Sequence, residues 1–106
     1  IAVAAAEMAF AGGLGMDLFL SEVPYKGQRP KRNDFLLFSE SHSRFVVEVA
    51  RQDQRKFEQC MAGIPLGLIG CTAQHSGFTV YGLDGTACVK TSIHELKAAW
   101  QKPLRW

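Results

Sequence analysis

The sequence predicts an α+β fold: helices packed on a mixed, largely antiparallel sheet of about four or five strands. Three observations lead there. Segments of helical and strand character follow one another without a regular strand-helix repeat. Asp84-Gly85 separates two β-rich runs and makes at least that pair antiparallel. Three helix-forming segments with apolar residues need a sheet to cover. The 106 residues, with 47% hydrophobic and 21% charged side chains, are one domain's worth of chain, residues 1–106. Mean hydropathy near zero excludes a disordered, collagen-like or coiled-coil chain.

The elements follow in order. Residues 1–12 are alanine-rich, with Val3, Met8 and Phe10, and predict a largely buried helix already under way at Ile1. That opening suggests a piece of a longer protein. Gly12-Gly13-Leu14-Gly15 ends the helix, because glycine adopts the left-handed conformation without a Cβ penalty. Met16–Leu20 predicts a short strand stopped by Ser21–Pro24, and Pro24–Asn33 a loop. Phe35–Phe38 fits either one helical turn or a strand edge. The β-branched run Phe45–Ala50 predicts a central strand, the clearest in the chain. Asp53 and Gln54 then open a helix with Phe57, Cys60, Met61 and Ile64 along one stripe, stopped at Gly63 and Pro65. Leu66–Ala73 reads as an apolar strand. Phe78–Leu83 and Thr86–Lys90 form a hairpin whose Asp84-Gly85 pair signals a type I′ turn. Ser92 and Glu95 make a capping box for a last helix with Ile93, Leu96 and Trp100 on one face, ended by Pro103.

Composition narrows the function classes. The net charge of +2 is local: four of 12 basic residues lie between Lys26 and Arg32, leaving eight against ten acidic side chains elsewhere. The segment reads as a solvated loop or as a contact for an anionic ligand or partner subunit. It lacks the spread and aromatic interleaving of a nucleic-acid surface. No apolar run approaches the roughly 20 residues that cross a bilayer. Cys60, Cys71 and Cys88 are an odd, widely spaced set and predict small buried hydrophobes in a reducing cytosol. His42, His75 and His94 fall at no metal-ligand interval, and no metal site or catalytic triad is predicted. Trp100 and Trp106 read as packing anchors.

Two places could carry binding chemistry. At Gly12-Gly13-Leu14-Gly15 the backbone could approach an anion closely, or merely cap a helix. In Ser39-Glu40-Ser41-His42-Ser43-Arg44, serine hydroxyls, a carboxylate and a guanidinium are the groups that hold a phosphate or a sugar. The same residues could instead form a self-bonded turn with Arg44 paired to Glu40.

Met8–Gly15, Leu37–Phe45, Phe57–Gly70 and Glu95–Trp100 with Pro103-Leu104 together resemble the C-terminal domain of phosphoribosylformylglycinamidine synthase, at the end of its large, PurL-type subunit. The hydroxyl-rich stretch is the most specific part. Aminoimidazole ribonucleotide synthetase, selenophosphate synthetase and the HypE proteins share the wider family, and the first supplies the expected fold. The resemblance implies a cytoplasmic ligase of purine biosynthesis. In that enzyme ATP phosphorylates the amide oxygen of formylglycinamide ribonucleotide, and ammonia from a glutaminase subunit or domain displaces the phosphate. ATP and Mg2+ would be bound mainly by N-terminal domains outside this chain, so that the isolated domain would be inactive.

Carried over by position, Gly12 and Gly13 would approach the ribose phosphate and Gly15 would keep the turn open. Ser39, Ser41 and Arg44 would line the same cleft, supported by Glu40 and Ser43. No catalytic or metal-ligating residue is implied here, and neither nucleic acid nor membrane is an expected partner. His42 and Tyr25–Arg32 depart from the family pattern and receive no role. The competing expectation is a freestanding ferredoxin-like α+β module binding a ligand or RNA, faintly suggested by Gly77–Tyr81.

Overall fold

Alanines four residues apart start the core. In a computed structural model, which describes residues 1–104, Ala5 and Ala9 bury one face of helix α1 (Ala2–Gly12) while Val3 faces solvent. The helix is therefore half-buried rather than largely buried. Strand β1 (Gly15–Phe19) follows, with Met16 and Leu18 turned into the core and Asp17 and Phe19 on the opposite face by alternation. A 3-10 turn at Leu20–Glu22 brings Leu20 and Val23 back into the same core. Residues 24–32 form a mostly exposed loop. Helix α2 (Asn33–Phe38) resolves the ambiguous run as helix and buries Leu36 and Leu37.

A short helix α3 (Gln54–Cys60) precedes strands β2 (Gly70–Ala73), β3 (Gly77–Tyr81) and β4 (Ala87–Ser92). Helix α4 (Ile93–Gln101) opens on the expected capping box: Ser92 Oγ accepts from the Glu95 N–H at 3.2 Å, and Glu95 accepts from the Ser92 N–H at 3.0 Å. The four strands lie in the order β2-β1-β3-β4. The β1–β2 and β3–β4 pairs are antiparallel and the central β1–β3 pair is parallel, so the sheet is mixed and the α+β class holds.

Side chains from α1, α2 and α4 cover one face of this sheet. Leu20 and Val80 are fully buried there, each contributing roughly 1.5–3 kcal/mol of burial free energy. α1 and α4 are tied together by the Trp100 indole N–H, which donates to Glu7 at 3.0 Å, with the Trp100 ring 5.8 Å from Phe10. Trp100 is thus an anchor, as expected; Trp106 lies outside the described residues. The uncovered face carries Phe19 and Tyr81, stacked with centroids 4.9 Å apart. The element order, beginning αβα, departs from the βαββαβ order of a ferredoxin-like module.

Several local expectations are corrected. Phe45–Ala50 belongs to no strand: it has no ladder partner among the described residues, and Phe45 is 83% exposed. Leu66–Ala73 is strand only from Gly70 onward, with Leu66 and Leu68 exposed. The α3 stripe reaches no core, since none of its residues is buried. All three cysteines are exposed rather than buried. Cys71 faces away from the helices, opposite Asp17 in the register, and Cys88 falls in β4 at the bulge.

The β3–β4 turn also differs from type I′, which needs positive φ at both central residues; only Gly85 of the pair has it. The loop closes instead through Gly82 N–H to Thr86 O at 2.7 Å and Gly85 N–H to Gly82 O at 3.0 Å. A register irregularity at Val80/Tyr81 absorbs the extra residue.

Candidate functional site

The hydroxyl-rich loop begins where α2 stops. The Ser39 N–H donates to Phe35 O at 3.2 Å, after which the chain leaves the helix in extended conformation. Ser43 then takes a left-handed φ of 59°, uncommon for a residue with a Cβ. That reversal folds the loop back on itself, so the Arg44 guanidinium reaches the Ser39 hydroxyl and donates to it at 2.7 Å. Arg44 therefore pairs with Ser39 rather than with Glu40. Glu40, Ser41, His42 and Ser43 are exposed around this link. An open depression of about 320 Å³, lined by Asp34, Phe35, Phe38 and Ser39, lies at the start of the loop.

The beginning of α1 meets this loop. The Ile1 amine donates to Leu37 O at 3.1 Å. The Arg44 guanidinium stands near the same nitrogen. Ser39 and Arg44 thus lie at the N-terminal end of α1. The glycines lie at the other end, roughly 16 Å away for 11 helical residues at 1.5 Å each. The structure brings Ser39 and Arg44 together and does not bring Gly12, Gly13 or Gly15 to them, so the expected single pocket is not formed by these residues.

Gly13 caps α1 in the left-handed conformation at φ 69°, its N–H directed to Ala9 O, which also accepts from Leu14 N–H at 3.2 Å. Two donors that an anion nest would use are spent on the helix end. Gly15 has a packing reason for lacking a side chain: a Cβ there would lie 2.3 Å from His75 Nδ1 and 2.5 Å from Gly77 O. Around Gly12 a Cβ would meet nothing within 4 Å.

One pairing was not anticipated from the sequence. His75, in the β2–β3 turn, accepts the Gly77 N–H at Nδ1 at 3.0 Å, and its Nε2 stands 4.0 Å from Asp17 on the uncovered sheet face. The close Gly15–His75 approach behind it depends on the β1–β3 pairing, which no local pattern announces. His42 and His94 are exposed.

In the basic segment, Arg32 forks onto Asp34 at 2.9 and 2.6 Å and lies 5.0 Å over the Phe35 ring. That pairing lowers the Asp34 pKa from its usual range and raises that of Arg32. Among the described residues no group of three or more His, Cys, Asp or Glu side chains could hold a metal ion. Among the same residues no helix is long and apolar enough to cross a membrane.

The chain belongs to the family described as AIR synthase related protein, C-terminal domain, which matches residues 1–81. Within that class its relatives include the PurL subunit of one enzyme in several organisms. The chain is 33% identical over 105 residues to the phosphoribosylformylglycinamidine synthase subunit PurL of Deinococcus radiodurans, covering 99% of this chain and 13% of the relative. It is 33% identical to that of Moorella thermoacetica over 98% of the chain and 37% identical to that of Synechocystis sp. over 95%, again spanning 13% of each relative. No solved structure is significantly similar.

Proposed function

We propose that the chain is the substrate-facing C-terminal domain of an ATP-dependent, amidine-forming ligase of purine biosynthesis, acting on formylglycinamide ribonucleotide. Family membership and similarity to PurL subunits over nearly the whole chain support this reading. In the complete enzyme, phosphorylation of the amide oxygen by ATP turns it into a phosphate leaving group. Ammonia from a glutaminase adds at the same carbon and the phosphate departs. ATP and Mg2+ belong, in this proposal, to domains outside the chain, which function in the cytoplasm together with the glutaminase.

This chain's part is recognition. The observation that carries it is the Arg44–Ser39 link at 2.7 Å, which holds a guanidinium fork among free hydroxyls. A fork of this kind matches two phosphate oxygens at once. Ser39 and Ser41 would add short donors, Glu40 would accept from sugar hydroxyls, and the Ser43 reversal would present them. Gly12, Gly13 and Gly15 would meet the same ligand only if it extended along the length of α1.

The test is steady-state kinetics of Arg44→Ala in the complete enzyme. The KM for the ribonucleotide should rise about 10- to 100-fold, equivalent to a charge-assisted bond of roughly 1.5–3 kcal/mol, with the KM for ATP unchanged. Unchanged kinetics for both would remove Arg44 from the site. Salt-sensitive binding of single-stranded RNA, without ligase activity, would favour the RNA-binding alternative.

A further inference from the structure

We propose that Phe45–Ala50 is an acceptor strand that, in the full-length protein, pairs edge to edge with the polypeptide immediately preceding Ile1. The inference rests on the part of the functional reading that makes this chain one domain of a longer protein.

The first observation is an element without a ladder. Phe45-Val46-Val47-Glu48-Val49-Ala50 has strong strand composition, yet none of its residues belongs to the sheet. Phe45 and Val47 are 83% and 55% exposed, while Val46 and Val49 are partly buried. Glu48 accepts from the Thr72 hydroxyl at 3.1 Å, holding the segment beside β2, which is an edge of the sheet. A β-prone segment with an open backbone and apolar side chains in water is a template for strand addition.

The second observation identifies the occupant. The Ile1 nitrogen lies within hydrogen-bond distance of Leu37 O, at 3.1 Å. Polypeptide running into Ile1 therefore arrives beside Leu37, at the end of α2 from which the chain leads on to Phe45. The relatives have such polypeptide: the matched family is a C-terminal domain, and the chain spans 13% of each PurL subunit. A covalently joined donor acts at an effective concentration on the order of millimolar, which favours it over a second copy or a separate subunit.

Amide hydrogen exchange on the full-length protein tests this. The amides of residues 46–50 and those of one segment within about 20 residues upstream of Ile1 should both exchange at least tenfold more slowly than unstructured chain. Val47→Pro, which removes a ladder donor, should release both segments together. A benzophenone side chain placed at position 47 should crosslink to that upstream segment. Unprotected residues 46–50, release of these without the upstream segment, or crosslinks only to another copy or subunit would overturn the proposal. Protection without amidine formation by the wild-type protein would instead sink the functional reading and leave the strand assignment standing. Amidine formation without protection would do the reverse.

Discussion

Arg44 reaches back across five residues to donate to Ser39, and this contact, at 2.7 Å, closes the exposed loop between α2 and the unpaired segment. Both groups face solvent, so the bond adds little to folding stability, within about 1 kcal/mol. Ser39→Ala should therefore leave the unfolding midpoint nearly unchanged. In the complete enzyme it should raise the ribonucleotide KM about tenfold through loss of ~1.4 kcal/mol of orientation. Thermal unfolding and initial-rate kinetics on the same protein separate the two effects.

Neighbouring glycines should respond with opposite sign. Gly12 is helical, with open space where a Cβ would stand, so Gly12→Ala should stabilise by up to about 1 kcal/mol through helix propensity. Gly13 sits at φ 69°, and Gly13→Ala should destabilise by roughly 1–2 kcal/mol. Denaturant unfolding at constant slope reads both. Loss of ligase activity in a stabilised Gly12→Ala enzyme would give that glycine a binding role independent of the helix end.

Acid should loosen α4 through its cap. The Thr91 hydroxyl first, then the Ser92 N–H and hydroxyl, hold the Glu95 carboxyl below its ordinary value of 4.5. Because the folded-state pKa is the lower one, the cap's contribution is complete above about pH 4.5 and is lost as pH falls through the folded value. Glu95→Gln should flatten that part of the stability profile and leave the neutral-pH limb parallel to wild type. A profile with the same acid slope in both proteins would remove Glu95 as its source.

The core offers a calibration. Leu20 is 1% exposed and sits where the turn after β1 meets the helices; Leu20→Ala should cost about 3–5 kcal/mol by transfer and cavity terms together. Phe38→Ala, at an exposed site, should change stability by no more than about 0.5 kcal/mol. Equal losses at the two positions would place the core elsewhere.

What could be read before folding was what neighbouring residues decide. The Gly13 helix end, the antiparallel β3–β4 pair and the Ser92–Glu95 box all depend on contacts within a few residues, and all three stand. Phe45–Ala50 is not a strand because strand propensity needs a ladder partner, and the described residues supply none. Cys71 lies outside the core because a strand residue faces core or solvent according to register, here fixed by its distant pairing with Asp17, whereas Cys60 lies on α3, which buries none of its residues. In the candidate site, the serine and arginine types were legible and their mutual contact was not. Their separation from the glycines follows from the Ile1–Leu37 contact, 36 positions apart in sequence.

The parallel β1–β3 pairing sets an order of events during synthesis. β1 takes both its neighbours, β2 and β3, from residues 70–81, so a chain emerging from the ribosome holds β1 with bare edges until most of the domain has been made. The β3–β4 hairpin, closed by a short loop, is formed locally and late. Closure of the sheet around β1 therefore waits for residues 70–81, whose pairing with it spans more than fifty positions of sequence.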